Sequence, residues 1–421
     1  MADKTKYVWW GERPEDDITK LDNVWEVRVA EDNRVYFVNH ESKTTQWSHP
    51  TNGYHYRVSP GLPYGWQKYR DDDNSLVYVD HFGQIRSHVD PRLFSKVVDD
   101  FPKRFGIQDY RSIRNSFSSL VRADKVLKDV DLSDKVVMIT GGNSGIGYRT
   151  ALAMVKSGAH VIIASRNEIK ANNAITKLNK AHKNAQVEFM KVDLGSLHSV
   201  KELAKAFISR ELPLHILVCN AGVFGGPLSK TVDGLEQHFA VNHLGHFYLA
   251  NLLTPVLKRS KPSRVVVVTS ESHWYPSYNS SQLDLQFLQH PTTKKYSAIT
   301  AYGASKLCNL LFTLEYHRRN VEDGISCNAV HPGNLLPTGL SCNAGYLYQA
   351  AFTAARLFTK SVDQAASTIV YCAAHPSMND ISGMYMSDCW PVEPSGEAQD
   401  SNTAVALWEL SEQIIAQQNT D

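Results

Sequence analysis

The run Val136-Val137-Met138-Ile139-Thr140, followed at once by Gly141-Gly142-Asn143-Ser144-Gly145-Ile146-Gly147, decides the fold. A short apolar run bounded by turn residues reads as a buried strand. Tyr148 to Lys156 reads as a helix that stops at Gly158. Strand, glycine loop and helix in that order make a phosphate cradle. Glycine lets the backbone approach a pyrophosphate without a Cβ in the way, and the helix N-terminus offers unpaired N–H groups and a favourable dipole. By itself such a loop is a weak signal, because any tight strand-to-helix turn can need glycine.

Downstream, apolar strands recur near Val161, Val187, Ile216, Val265 and Ile325, with amphipathic helical segments between them. That alternation predicts a doubly wound parallel sheet. The second strand, His160 to Ala164, ends in Ser165-Arg166, where a site for NAD(H) would carry a carboxylate for the ribose 2′-hydroxyl. An arginine there suits a 2′-phosphate through its planar fork, so NADP(H) is expected over NAD(H). The competing reading makes Arg166 a solvated residue at a strand end.

Tyr302 and Lys306 stand four apart in A-Y-G-A-S-K-L-C-N-L-L, and Leu307, Leu310 and Leu311 continue at helical spacing. Both side chains therefore share one helix face. A phenol is protonated at neutral pH, and an adjacent ammonium favours its phenolate, which moves it toward acid/base work. Ser270 ends the apolar strand Val265 to Thr269, placing a hydroxyl at the carboxyl edge of the sheet, within reach of a substrate oxygen. Ser272 competes for that role. A lone Tyr-x-x-x-Lys pair arises easily by chance, but this pair follows a glycine loop and a parallel-sheet pattern.

From about Lys135 onward the chain resembles the short-chain dehydrogenase/reductase family. The marks are T-G-G-N-S-G-I-G (Thr140 to Gly147), V-D-L (Val192 to Leu194), N-A-G (Asn220 to Gly222), V-N-H-L-G-H-F (Val241 to Phe247), V-T-S (Val268 to Ser270), Y-G-A-S-K (Tyr302 to Lys306) and H-P-G (His331 to Gly333). The resemblance implies Tyr302 as general acid/base. Lys306 would lower its pKa and hold the nicotinamide ribose, Ser270 would polarise the substrate carbonyl, and Asn242 would complete a proton relay through a water. It implies cofactor contacts from Gly141, Asn143, Ser144, Gly145, Ile146 and Gly147, from Asp193 near the adenine, from Asn220 and Ala221 near its ribose, and from Pro332 and Gly333 on the nicotinamide side. The stretch Leu335 to Phe358 is rich in Leu, Tyr, Ala and Phe. In this family the equivalent segment lines the substrate pocket, which implies a lipophilic alcohol or ketone of steroid or retinoid type; a plain packing helix is the alternative.

Upstream, two segments repeat: Trp25 to Pro50 and Trp66 to Pro91 each carry a leading tryptophan, an aromatic or β-branched strand and a closing proline. Each has room for three short strands. The first resembles a WW domain through Trp25, Tyr36-Phe37-Val38-Asn39-His40, Thr45, Trp47 and Pro50. Strand alternation puts Trp25, Phe37 and Pro50 on a structural side and Tyr36, Val38, His40, Thr45 and Trp47 on a groove side. Such grooves take preordered polyproline II peptides, and the resemblance implies Pro-Pro-x-Tyr proteins as partners. In the first repeat Leu21-Asp22-Asn23-Val24 lacks the usual lead-in proline. In the second, Val77 stands where the groove tyrosine would be and His88 where the second tryptophan would be. The second repeat is therefore expected to support the first rather than bind peptide.

The expected architecture is multidomain: two small three-stranded antiparallel β WW modules (19–52 and 60–93), a linker (94–131) and an α/β doubly wound parallel-sheet Rossmann domain (132–416). The 421 residues, 43% of them apolar, can build more than one core. A formal net charge of +1 gives no global field for nucleic acid or an anionic membrane, and the longest apolar runs fall far below the about 20 residues of a membrane span. The six cysteines, at 219, 308, 327, 342, 372 and 389, lack zinc spacing, so no metal is expected and free thiols in a reducing compartment are. The N-terminus has no signal-peptide pattern, which points to the cytoplasm. Nuclear entry stays open, although Thr51 to Leu62 holds only Arg57 and His55 as basic residues. Two functions of different class follow: an NADP(H)-dependent oxidoreductase, or a signalling adaptor working through the peptide groove with the reductase domain as a nucleotide-sensing scaffold.

Overall fold

The computed structural model describes residues 7–9, 21–22, 24–58, 62, 66–71, 73, 75–80, 85–93, 108–109, 121–274, 296–333, 360–379 and 381–418. The chain divides into two compact units, 1–114 and 115–421.

In the first unit, β1 (Tyr7–Trp9) runs parallel to β5 (His55–Arg57). Between them β2 (Trp25–Val29), β3 (Val35–Asn39) and β4 (Thr44–Gln46) form the first three-stranded antiparallel sheet. Period-2 alternation sorts β3 as expected: Val35 and Phe37 are buried, while Tyr36 and Val38 are only half-buried. The core around Phe37 takes in Tyr56 and Val58 from the segment after the module, with Trp25, Val27 and Val29 packed against it.

The second repeat forms β6 (Trp66–Arg70), β7 (Leu76–Asp80) and β8 (Ile85–Ser87), and β9 (Gln108–Asp109) adds a fourth strand. Residues 108–109 fall in the expected linker; a two-residue strand within charged sequence leaves no periodic trace. Val77 and Val79, on the groove-equivalent side of β7, are completely buried. The exit from this repeat reaches back to the first one. Leu93 lies in the Phe37 core with Val89 against it. Polar groups follow the same path: Tyr78 OH donates to Asp90 at 3.0 Å, Asp90 pairs with Arg92 at 2.7 Å, and Arg92 donates to Asn33 Oδ1 at 2.7 Å in the β2–β3 turn.

The second unit is built on an eight-stranded sheet of β10 (Val136–Thr140), β11 (His160–Ser165), β12 (Gln186–Lys191), β13 (Ile216–Cys219), β14 (Ser263–Val268), β15 (Ile325–His331), β16 (Tyr385–Ser387) and β17 (Trp390–Pro391). Its order is β12-β11-β10-β13-β14-β15-β16-β17, parallel throughout except for the β16–β17 pair. Central strands such as β10 are buried at every position, as the unbroken apolar run requires. The longer helices are α1 (Gly145–Lys156), α2 (Glu168–Ala181), α3 (Leu197–Ile208), α4 (Gly245–Arg259), α5 (Ala298–Asn320), α6 (Val362–Ala374) and α7 (Ser401–Gln418).

Val137, Ile139, Val161 and Ile163 pack on α1 and α6. α5 is buried along most of its 23 residues, because it lies on the sheet and is itself covered by α7. Trp408 of α7 meets Phe247 of α4 and Phe312 of α5, with ring centroids 4.8 and 6.1 Å away. Among the described residues no helix is long and apolar enough to cross a membrane.

Candidate active site and peptide groove

The chain leaves β10 toward β11 and β12 on one side, then returns to lay β13 on the other. The carboxyl edge at that reversal is where open α/β sheets bind ligands. The glycine loop follows β10, Arg166 follows β11, Asp193 follows β12, Asn220 and Ala221 follow β13, Ser270 follows β14, and Pro332 and Gly333 follow β15. Parallel strands thus bring all of these residues to one edge.

The loop passes a direct test of fit for a dinucleotide phosphate. Gly141 has φ of +67°, and a Cβ on Gly147 would stand 2.4 Å from the Gly141 carbonyl oxygen and 2.6 Å from Asn220 Nδ2. The backbone is drawn in too tightly for side chains at either place. Ser144 is the N-cap of α1 and is exposed, but its hydroxyl makes no capping bond, so the first-turn N–H groups of Gly145, Ile146 and Gly147 face no side-chain cap. Arg166 is exposed beyond the buried Ser165. Asp193 is half-buried, its Oδ1 accepting from Gly195 N–H at 2.9 Å.

Beneath the loop, Thr140 Oγ1 accepts from the N–H groups of Asn220 at 2.9 Å and Ala221 at 3.0 Å. Asn220 Nδ2 donates to the Thr140 carbonyl at 2.8 Å. β10 and the Asn-Ala-Gly turn are thereby stitched together.

Tyr302 is buried on α5, with the Ser270 hydroxyl near its phenol. Burial pushes its phenol up to about 12, and the nearby Ser270 hydroxyl opposes that shift. Lys306, one turn on, has its Nζ 5.6 Å from the Tyr302 ring centre and donates to the Val268 carbonyl at 2.9 Å. Burial lowers its amine to about 8. An adjacent ammonium alone would favour the phenolate; here the amine serves Val268 and burial dominates the phenol. Ser270 donates to Ser272 Oγ at 3.1 Å, so the rival hydroxyl is a neighbour of Ser270, while it is Ser270 that influences the Tyr302 phenol. The expected pocket-lining stretch, Leu335 to Phe358, lies outside the described residues.

Asn242 sits in a π-type turn, Phe239–Leu244, at the entry to α4. Its side chain accepts from Val223 N–H at 2.8 Å, donates to Val223 O at 3.1 Å and donates to Ser305 Oγ at 3.0 Å. It therefore clamps the loop after β13 to the helix that carries Tyr302 and Lys306.

Several groups at the site carry no signature that sequence reasoning used. Phe224 packs edge-on to Tyr302 at 4.9 Å, and His238 does so at 6.3 Å. Glu236 accepts from His238 Nδ1 at 2.8 Å and Tyr296 OH at 3.0 Å. His273 donates from Nδ1 to the Ser270 carbonyl at 2.8 Å and accepts from Ser395 N–H at 3.1 Å. The available signal was a set of histidines in otherwise apolar or helical sequence, which implies buried, partnered imidazoles.

On the first small sheet, Tyr36 and Trp47 face each other with ring centroids 5.7 Å apart at 59°. Trp47 remains 39% exposed. Val38 is in register with Thr45, and His40 Nε2 lies 2.9 Å from Glu26 Oε2. Tyr36, Val38, His40, Thr45 and Trp47 thus share one face, away from the Phe37 core.

A parallel sheet ending in a glycine cradle beside a buried Tyr302 with Ser270 near it is the architecture of the short-chain dehydrogenases. The family described as short chain dehydrogenase matches residues 135–282, and the WW domain family matches 21–50. Within that class the chain belongs to the WW domain-containing oxidoreductase family. It is 44% identical to the WW domain-containing oxidoreductase of Gallus gallus over 94% of each chain, and 44% identical to that of Homo sapiens over 93% of each. It is also 40% identical to retinol dehydrogenase 12 of Mus musculus, over 68% of this chain and 88% of that protein. Among solved structures, an uncharacterized protein from Mycobacterium Paratuberculosis is 32% identical, with a TM-score of 0.54 over 69% of this chain and 96% of that one.

Proposed function

We propose that the C-terminal domain is an NADP(H)-dependent oxidoreductase acting on a lipophilic alcohol or ketone of steroid or retinoid type, and that the first WW module binds Pro-Pro-x-Tyr segments of other proteins. The observation that carries the enzymatic reading is the buried Tyr302 phenol, with the Ser270 hydroxyl near it, at the same sheet edge as the glycine cradle. When bound, the cofactor supplies or accepts the hydride. The chain's own residues handle the rest. In reduction Ser270 donates a hydrogen bond to the carbonyl oxygen and Tyr302 passes its phenolic proton to it; in oxidation the same oxygen accepts the alcohol proton. Lys306 supplies positive charge close to Tyr302 and holds the cofactor ribose. Asn242 fixes the neighbouring backbone and completes the proton path.

Arg166 supports NADP(H) over NAD(H), because the end of β11 offers a guanidinium for a 2′-phosphate and no carboxylate for a 2′-hydroxyl. The apolar setting of Tyr302 against Phe224 supports a lipophilic substrate, as does the identity with a protein named retinol dehydrogenase. The deciding experiment is a screen of steroids and retinoids for NADPH consumption beside Tyr302→Phe. That variant is expected to lose turnover and keep cofactor binding; equal turnover in both proteins sinks the acid/base role.

The Tyr36–Trp47 pair, with Trp47 exposed, favours a second reading, in which peptide capture is the operative activity and the reductase domain is a nucleotide-sensing scaffold. In that case a cellular effect survives Tyr302→Phe and disappears with Trp47→Ala.

A further inference from the structure

His246, one turn beyond Asn242 and inside α4, is buried and uses both ring nitrogens. Nε2 lies 2.8 Å from Thr140 Oγ1, and Nδ1 lies 3.0 Å from the Asn242 carbonyl oxygen. The direction of these bonds follows from counting protons. Thr140 Oγ1 already accepts from the N–H groups of Asn220 and Ala221, so its own hydrogen must go outward. The nearer acceptor is His246 Nε2; the Val218 carbonyl is at 3.3 Å. Nε2 therefore accepts, Nδ1 carries the ring hydrogen, and it donates to Asn242. Burial pushes the imidazole down to about 4, in keeping with a neutral ring.

The turn at the other end explains the need for such a strut. At Phe239–Leu244 the helix is widened, Gly245 N–H reaching back five residues to Ala240 O. Turns of this kind are costly in a plain helix and cluster at functional sites. Here the widened turn aims the Asn242 side chain at Val223 and Ser305, and His246 supplies a side-chain donor to the Asn242 carbonyl. An apolar residue of similar size could fill the same space, yet it would leave Thr140 and Asn242 unlinked.

We propose that His246 is a positioning residue: it ties the widened turn carrying Asn242 to the end of β10, so that the glycine cradle, the Asn220–Ala221 turn and the Asn242 clamp hold one fixed geometry. This rests on reading residues 141–147 as the cofactor cradle. The ring acts as a one-way hydrogen-bond strut from Asn220 and Ala221 through Thr140 to Asn242.

The test is NADPH titration of the full chain, with NADH beside it, for wild type, Thr140→Val, His246→Leu and the double variant. His246→Leu is expected to weaken NADPH binding about tenfold, as loss of one buried hydrogen-bond link implies. The double variant is expected to bind no more weakly than Thr140→Val alone, because the two residues act through one link. His246→Asn, which keeps a donor near the Nδ1 position, is expected to recover part of the loss. Multiplicative effects in the double variant, or unchanged binding by His246→Leu, overturn the proposal. A wild-type chain that binds neither nucleotide overturns the cradle reading instead, and the purpose of the strut with it. Nitrogen-15 spectra of the histidine-labelled wild type give a check that needs no apolar variant, with His246→Asn used to assign the ring: an Nδ1–H tautomer supports the strut, and an Nε2–H tautomer overturns it.

Discussion

Lys306 donates from Nζ to the Val268 carbonyl at 2.9 Å, which anchors the amine to the last residue of β14, two positions before Ser270. Asn309 Nδ2 shares the same carbonyl at 3.2 Å, so the oxygen keeps a donor if the lysine is removed.

Burial lowers this amine to about 8, which ties stability to pH with a definite sign. Between the folded value near 8 and the ordinary 10.5, the unfolded chain binds the lysine proton and the folded chain does not. This group's contribution therefore rises with pH across that window, by at most about 1.4 kcal/mol per unit, and is flat below it. Lys306→Met is expected to be more stable than wild type at pH 7, and its advantage should shrink by roughly 2 kcal/mol between pH 8 and 10. Urea unfolding of both proteins measures the difference, in which the buried cysteines common to both cancel. A constant advantage across that range refutes the burial argument.

The exposed guanidinium at the end of β11 gives a separable expectation. If Arg166 pairs with a 2′-phosphate, Arg166→Asp removes a charge-assisted bond and installs a partner for a 2′-hydroxyl. NADPH affinity is expected to fall by about 10- to 100-fold, while NADH affinity rises. Calorimetric titration of both nucleotides reads this; an unchanged ratio makes Arg166 a solvated strand-end residue.

Leu93 and Trp47 should separate folding from binding in the first WW module. Leu93, from the exit of the second repeat, is buried in the Phe37 core. Leu93→Ala is expected to destabilise the first module by about 2–4 kcal/mol, seen as faster amide exchange along β3 in the full chain. Trp47→Ala should leave that exchange unchanged and abolish binding of a Pro-Pro-x-Tyr peptide. If Leu93→Ala leaves β3 protection intact, the second repeat contributes nothing to the first.

These cases mark what a sequence can disclose. The glycine loop, the order of strands and the Tyr302–Lys306 spacing are local patterns, and they are legible because period and turn chemistry act on adjacent residues. β9, β16 and β17 span two or three residues each, too few for any period to register. The π-type turn at Asn242 is harder still, since its neighbours Thr140 and Val223 are far away in the chain. His246 reads from sequence as one more polar residue in an apolar helix; its use depends on two partners that only folding brings near. The anchoring of Leu93 under Phe37 is hidden for the same reason.

Glu236 offers the most exacting case, because its buried charge holds His238, whose ring meets Tyr302 edge-on. It is 3% exposed, and its carboxylate accepts from Phe239 N–H at 2.7 Å, His238 Nδ1–H at 2.8 Å and Tyr296 OH at 3.0 Å. Burial alone would raise its pKa, but these bonds and the His238 partner outweigh burial and hold it below the ordinary 4.5. A depressed carboxylate contributes stability that is complete above the unfolded value and is lost as pH falls through the folded one. Glu236→Gln turns one acceptor into an NH2 group that faces a donor, so at pH 7 it is expected to cost about 2 kcal/mol. Below pH 4.5 the deficit should narrow, since the wild-type carboxylate is then being protonated as well. Since the Glu236-held imidazole of His238 leans edge-on against Tyr302, with its Nε2 buried and unpartnered, the substitution should also loosen that ring and lower turnover. Urea midpoints at pH 7 and pH 4, set against turnover at pH 7, test both parts. A deficit that stays the same into acid would mean that folding does not shift the titration of this carboxyl, a deficit that widens would mean that it is neutral when folded, and unchanged turnover would detach this cluster from Tyr302.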